Sequence, residues 1–127
     1  MDTRELANPR VLLVDDHDLF RTGLRKLLSE QGVQIVGECD DGDDALRAVR
    51  ELAPDVVVMD LNMPGLDGWM SMSLIKARRP KLPVVVLTGD VGKDLESRAK
   101  TAGAAGFLTK PCQPDALVRT LKKAIAR

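Results

Sequence analysis

The sequence is poor in aromatic residues and in net charge, and each shortage argues against a class of function. One Trp, two Phe and no Tyr occur among 127 residues, so we do not expect a surface that stacks nucleic-acid bases on aromatic rings. Nineteen basic residues balance nineteen acidic ones, so no overall field attracts nucleic acid or an anionic membrane. Partners must therefore be selected by a local surface.

Cysteine and long apolar segments are equally scarce. Cys39 and Cys112 form no C-x-x-C motif and have no metal-ligand spacing, which predicts two free thiols in a reducing compartment. Residues 1–10 (MDTRELANPR) contain no signal-peptide core, and no run approaches the roughly 18 apolar residues of a membrane span. We therefore expect a cytoplasmic protein that enters no membrane and binds no nucleic acid directly.

Short apolar runs alternate regularly with helical patterns along the whole chain. Five runs predict strands, namely VLLVDD, QIVGEC, DVVVMDL, PVVVLTG and GFLTKP. Five amphipathic segments predict helices, namely DLFRTGLRKLLSEQG, GDDALRAVREL, GWMSMSLIKARR, KDLESRAKTAG and DALVRTLKKAIAR. In the first of these segments, helical spacing relates Leu19, Phe20, Leu24, Leu27 and Leu28. Because parallel strands need crossover connections, five such units predict one α/β domain with a doubly wound parallel sheet.

Polar residues stand where four of the predicted strands end. Asp15 and Asp16 close the first strand, and Asp60 closes the third. Thr88 and Lys110 close the fourth and the fifth. Since ligands of such sheets bind beyond the carboxyl ends of the strands, we expect these side chains to converge on one rim.

The predicted cluster has the composition of a phosphoryl-transfer site. Three carboxylates on one rim repel each other unless a cation intervenes, and Mg²⁺ suits a site with few carboxylates, retained waters and a phosphate. Lys110 adds a fixed positive charge, and Thr88 adds a hydroxyl donor. Asp60 is the predicted nucleophile, forming an aspartyl phosphate, because it follows the central apolar run and precedes a Pro-Gly loop.

These motifs, in this order and spacing, resemble the receiver domain of two-component response regulators. The matching segments are VDD, MDLNMPGLDG, LTG and FLTKP, and the resemblance covers residues 11–127, leaving residues 1–10 as an amino-terminal extension. It implies a flavodoxin-like (βα)5 fold with strand order 2-1-3-4-5. It also implies that Asp60 accepts a phosphoryl group from a histidine kinase or a histidine phosphotransfer protein, with Mg²⁺ or Mn²⁺ as cofactor.

The same resemblance implies a set of metal ligands and phosphate contacts. Asp16 and Asp60 would bind the metal directly, Asp15 through water, and Asn62 through its backbone carbonyl. Thr88 and Lys110 would hold phosphoryl oxygens.

A switch is implied as well. Phe107 would turn inward when Thr88 moves toward the phosphate, altering the face formed by helix 4, strand 5 and helix 5. Pro111 would follow a cis peptide bond that aims Lys110 at the site. Such a domain catalyses only its own phosphotransfer and autodephosphorylation, and it acts on a downstream effector domain or target protein. A phosphorylation-dependent homodimer is a further expected assembly.

Single residues also have simpler interpretations. Asp16 or His17 could cap the first helix, and for His17 packing or capping is favoured over a catalytic role. Phe107 could be core filler. Trp69 is interpreted as a partly buried helix residue.

Several alternative functions and architectures remain open. A haloacid-dehalogenase-like phosphatase needs an Asp two residues after its nucleophile, where this chain has Asn62. A flavodoxin needs a hydroxyl- and glycine-rich phosphate loop after the first strand, where this chain has DDHDLF. Within the receiver interpretation, a stand-alone or excised receiver is favoured over the amino-terminal receiver of a helix-turn-helix regulator or the receiver of a hybrid kinase.

Overall fold

Five strands alternate with five helices in the computed structural model, which describes residues 8–63, 67–90 and 92–126. The strands are β1 Arg10–Val14, β2 Gln34–Cys39, β3 Val56–Met59, β4 Val84–Thr88 and β5 Gly106–Thr109. The helices are α1 Asp18–Glu30, α2 Gly42–Leu52, α3 Gly68–Arg78, α4 Leu95–Thr101 and α5 Pro114–Ile125.

The strands form one parallel sheet in the order β2-β1-β3-β4-β5. This order confirms the predicted doubly wound fold. All four residues of β3 and all five of β4 are buried, as expected of central strands that helices cover on both faces. The edge strand β2 is largely half-buried.

Alternate residues of each strand serve two separate cores. Leu12 and Val14 pack with residues of α2, α3 and α4, whereas Val11 and Leu13 pack with residues of α1 and α5. This division follows from the two-residue period of a strand, which sends successive side chains to opposite faces of the sheet.

The apolar face of α1 is narrower than the sequence pattern predicts. Leu24 and Leu28 are buried and Phe20 is half-buried, but Leu19 is 91% exposed and Leu27 is 43% exposed. The helix that this spacing predicts is confirmed, but Leu19 and Leu27 do not contribute to its buried face. The reason is geometric, because residues spaced by four form one line along a helix, and the sheet covers only the line through positions 20, 24 and 28.

The strand and helix boundaries differ by a few residues from the predicted ones, and these differences bear on the site. Asp15, Asp16 and Asp60 lie just beyond β1 and β3 rather than inside them. At the other end of the sheet, β1 begins at Arg10, one residue before the predicted domain start. The Arg10 backbone N–H donates to Asp55 Oδ2 at 2.9 Å.

Within the described ranges, no helix combines the length and the apolar character needed to cross a bilayer.

Cys39 and Cys112 are free thiols, as predicted. Cys39 is also expected to make the stability of the fold depend on pH. Burial, with a smaller effect of the Asp44 carboxylate, raises the pKa of Cys39 from 9.0 to about 11. Folding therefore favours the protonated thiol. This contribution to stability is complete below about pH 9 and is lost as the pH rises toward the folded-state value.

Urea unfolding at about pH 8 and about pH 10.5 measures this effect. The free energy of unfolding should fall more between these pH values in the wild type than in Cys39→Ala, which lacks the thiol but keeps every other titrating group. Equal losses in the two proteins would contradict the assignment.

Candidate functional site

The rim of the sheet gathers the ends of four strands. Asp15 follows β1, Asp60 follows β3, Thr88 closes β4, and Lys110 follows β5. Because β1, β3, β4 and β5 are parallel neighbours, their carboxyl ends lie side by side. Residues up to 95 positions apart in the chain are therefore within reach of one another.

Asp60 is the most deeply buried carboxylate of this rim. It is 2% exposed, its Oδ1 accepts a hydrogen bond from the Asn62 backbone N–H at 3.2 Å, and its Oδ2 lies 3.2 Å from Lys110 Nζ. The Asp60 backbone N–H is bonded to the Val14 carbonyl at 2.9 Å, which ties the carboxylate to the neighbouring strand. Asp60 is thus held by the main chain, and its carboxylate faces the ammonium group of Lys110.

Lys110 points into the cluster. Its Nζ lies 2.5 Å from Asp15 Oδ2 and 3.2 Å from Asp60 Oδ2, and its side chain is only 13% exposed. The ammonium group also lies over the Phe20 ring, 4.4 Å from the ring centroid. The Lys110–Pro111 peptide bond is cis, as predicted. Two carboxylates and an aromatic face thus surround one fixed positive charge.

Asp15 and Asp16 differ in their partners. Asp15 Oδ1 accepts from the His17 backbone N–H at 2.8 Å, and its Oδ2 contacts Lys110. Asp16 Oδ1 is buried and has no hydrogen-bond partner among the residues that the structure describes. A buried carboxylate oxygen without a hydrogen-bond partner, next to other carboxylates, is suited to bind a metal ion.

His17 neither packs nor caps through its side chain. It occupies the N-cap position of α1, but its ring makes no capping hydrogen bond within the described structure and is 62% exposed. Instead, Nδ1 approaches Asp15 Oδ1 at 3.0 Å and Asp60 Oδ2 at 3.7 Å. The interpretation of His17 as a packing residue was therefore wrong, because its ring is exposed, whereas capping is confirmed for its position at the helix start but not for its ring. Ligand atoms of Asp15, Asp16, His17 and Asp60 all lie within 4.8 Å of one another.

Asn62 and Asp90 join two loops beside Asp60. The Asn62 side-chain amide donates to Asp90 Oδ2 at 2.5 Å, which links the segment after β3 to the segment after β4. The Asp90 backbone N–H in turn donates to Thr88 Oγ1 at 3.3 Å. The Asn62 backbone carbonyl remains a predicted metal ligand. Residues 64–66 of the predicted phosphoacceptor motif, including its Pro-Gly pair, lie outside the described residues.

Thr88 and Phe107 lie on the adjacent strands β4 and β5. Thr88 is fully buried, whereas Phe107 is half-buried and packs against the core that contains α4. Phe107 also lines a groove with Asp94, Leu95 and Thr109. Trp69 is half-buried on α3, as predicted, and its ring lies 5.0 Å from the Arg98 guanidinium carbon.

Arg21 is a residue of the site that the sequence analysis missed. From α1, its guanidinium donates to the Asp15 backbone carbonyl, to Glu38 Oε1 at 3.1 Å and to Asp18 Oδ1 at 2.9 Å. Its side chain is only 17% exposed. Arg21 therefore fixes the main chain that carries Asp15 and Asp16. The sequence did show an arginine shortly after the acidic pair Asp15 and Asp16. Its spacing alone did not reveal that the Arg21 side chain points back toward this pair.

Known proteins resemble this chain in sequence and in structure. Residues 11–122 match the response regulator receiver domain. The chain is 41% identical over 118 residues to the response regulator GacA of Pseudomonas aeruginosa, and the match covers 92% of this chain and 55% of GacA. It is 38% identical to the response regulator UvrY of Escherichia coli K12, over 88% of this chain and 52% of UvrY. The chain thus spans about half the length of these two relatives.

A solved structure agrees with these sequence matches. The signal receiver domain of the response regulator NarL from Mycobacterium tuberculosis superposes with a TM-score of 0.87 and 32% sequence identity. The match covers 94% of this chain and 97% of that domain. Sequence and architecture therefore lead to the same assignment: the chain belongs to the response regulator receiver domain family.

Proposed function

We propose that this domain is a phosphoacceptor that receives a phosphoryl group on Asp60 from a histidine kinase or a histidine phosphotransfer protein. The observation that carries the proposal is Lys110 Nζ, which lies within 3.2 Å of the buried Asp60 carboxylate and contacts Asp15 as well. A carboxylate beside a fixed ammonium can take on an anionic group without an uncompensated charge. The same cluster would not be needed for a domain that only binds a partner.

The phosphotransfer step is a substitution at phosphorus. An Asp60 carboxylate oxygen donates an electron pair to phosphorus, the bond from phosphorus to the donor imidazole nitrogen breaks, and that nitrogen keeps the bond's electrons. The Lys110 ammonium and the Thr88 hydroxyl hold phosphoryl oxygens. Hydrolysis of the aspartyl phosphate by water would return the domain to its starting state. Self-phosphorylation and self-dephosphorylation are the only reactions proposed.

The residues present fit a divalent cation, Mg²⁺ or Mn²⁺, beside Asp60. The fit rests on Asp16 Oδ1, which is buried and has no hydrogen-bond partner in the described part of the chain, and on the adjacent carboxylates. Asp16 and Asp60 would hold the ion directly, Asp15 through water, and Asn62 through its carbonyl. When bound, the ion neutralises charge on the phosphoryl oxygens.

The switch proposed for this domain couples the rim to the face formed by α4, β5 and α5. Thr88 Oγ1 now accepts from the Asp90 backbone N–H at 3.3 Å and keeps its proton to donate to a phosphate, and movement of the hydroxyl toward that phosphate would lengthen this bond. Movement of the Thr88 side chain toward the phosphate would leave room for the Phe107 ring, which now lies half-buried on the neighbouring strand. Phosphate thereby biases one of two arrangements of this face.

The partners follow from the same proposal. The upstream partner is a phosphohistidine protein, and the downstream partner is an effector domain or a separate target that contacts the α4-β5-α5 face. Because GacA and UvrY are response regulators about twice as long as this chain, we propose the amino-terminal receiver of such a regulator as one architecture, beside a stand-alone receiver and the receiver of a hybrid kinase. We also propose that the domain spans residues 11–127 and is located in the cytoplasm. Phosphorylation is proposed to promote a homodimer.

Intact mass spectrometry with a small phosphodonor tests the function. Incubation with acetyl phosphate and Mg²⁺ should add the mass of one phosphate to the wild type, and chelation of the metal should prevent the gain. Asp60→Asn, which keeps the side-chain shape but removes the nucleophilic carboxylate, should gain nothing. An equal gain in Asp60→Asn would place the modification elsewhere and refute Asp60 as the acceptor.

A further inference from the structure

His17, the only histidine of the chain, reaches into the carboxylate cluster. Its Nδ1 lies 3.0 Å from Asp15 Oδ1, 3.5 Å from Asp16 Oδ1 and 3.7 Å from Asp60 Oδ2. Neighbouring ligands of an octahedral ion with bonds of about 2.1 Å are separated by about 3 Å. For Asp16 and Asp60, the two carboxylates proposed to bind the ion directly, the distances of 3.5 and 3.7 Å exceed this spacing by less than about 1 Å.

The same nitrogen lies near two other groups of the rim. Lys110 Nζ is 3.3 Å away, and Asp16 Oδ1, which is buried, has no hydrogen-bond partner in the described part of the chain. A divalent cation among these groups would bind the Nδ1 lone pair and would also give Asp16 Oδ1 a partner.

We propose that His17 is a ligand of the divalent cation and shifts the preference of the site from Mg²⁺ toward a transition-metal ion such as Mn²⁺. The inference rests on the proposed function, because it needs a cation at Asp16 and Asp60. Imidazole nitrogen suits transition metals, whereas Mg²⁺ selects oxygen ligands. The ring is 62% exposed, so it can adjust toward an ion without disturbing the core.

Metal titrations of the untagged chain test this role. Calorimetry, with Trp69 fluorescence as a second signal, gives the Kd of Mn²⁺ and of Mg²⁺ for the wild type and for His17→Gln. We expect the substitution to weaken Mn²⁺ binding by roughly tenfold and Mg²⁺ binding by less than about twofold. Asp16→Asn serves as the site control and should weaken the binding of both ions.

Pulsed EPR of Mn²⁺ bound to the wild-type protein provides a readout that does not depend on a variant. A ¹⁴N modulation typical of coordinated imidazole must come from His17, because the chain contains no other histidine. Absence of this signal, or equal weakening of both ions in His17→Gln, would overturn the assignment of His17 while leaving the metal site intact. Failure of the wild type to bind either ion would overturn the metal site of the proposed function as well.

Discussion

Replacing Lys110 with methionine is expected to slow phosphate incorporation at Asp60 by on the order of a hundredfold. Methionine keeps most of the apolar stem but removes the ammonium group that contacts Asp15 and Asp60 at 2.5 and 3.2 Å. The transferred group would then reach Asp60 without the positive charge that offsets its oxygens. Methionine also leaves the carboxylates without their nearest counter-charge, so the free energy of unfolding without metal should fall on the order of 2 kcal/mol.

The rate is measured by intact mass over time with acetyl phosphate and Mg²⁺, and the stability by urea unfolding. Lys100→Met is the matched control, because Lys100 pairs with Glu96 through side chains that are both more than half exposed. Such a pair contributes little, so the control should stay within about 0.5 kcal/mol of the wild type and keep its rate. A Lys110→Met rate within about threefold of the wild type would contradict the role of Lys110.

Replacing Gly68 with alanine is expected to destabilise the fold by about 3 kcal/mol. Gly68 begins α3, and its backbone N–H donates to the Leu61 carbonyl at 3.0 Å. A Cβ at this position would lie 2.1 Å from the Asp60 carbonyl oxygen and 2.5 Å from Leu61 Cα. Both neighbours are main-chain atoms, so the clash can be relieved only by moving α3 away from the end of β3.

Urea unfolding measures the cost, and Gly23→Ala provides a control of the same chemistry. Apart from its chain neighbours and the backbone of its own helix, no described atom lies within 4 Å of a Cβ built on Gly23, which is inside α1 and exposed. Alanine there should raise the free energy of unfolding by about 0.5–1 kcal/mol, because it favours the helix without a clash. If Gly68→Ala proved as stable as the wild type, the close approach of α3 to Asp60 would be refuted.

The fold was predictable because its signals are local in the sequence. The segment QIVGEC became β2 with the predicted limits, and GDDALRAVREL became α2 with the predicted limits. The first predicted helical segment ends with Gly32, which has a φ of 81° just beyond the end of α1. Each signal depends on residues within one turn or one strand, where period and capping chemistry act directly.

The sequence by itself determined the alternation of strands and helices, and with it the rim where Asp15, Asp60 and Lys110 meet. A parallel sheet leaves no other place for residues that follow its strands. Only the tertiary structure decided that His17 turns toward the carboxylates, that Arg21 fixes the Asp15 carbonyl, and that Leu19 faces solvent. These outcomes depend on distances between side chains of different elements and on how much of each helix the sheet covers, which no local period encodes.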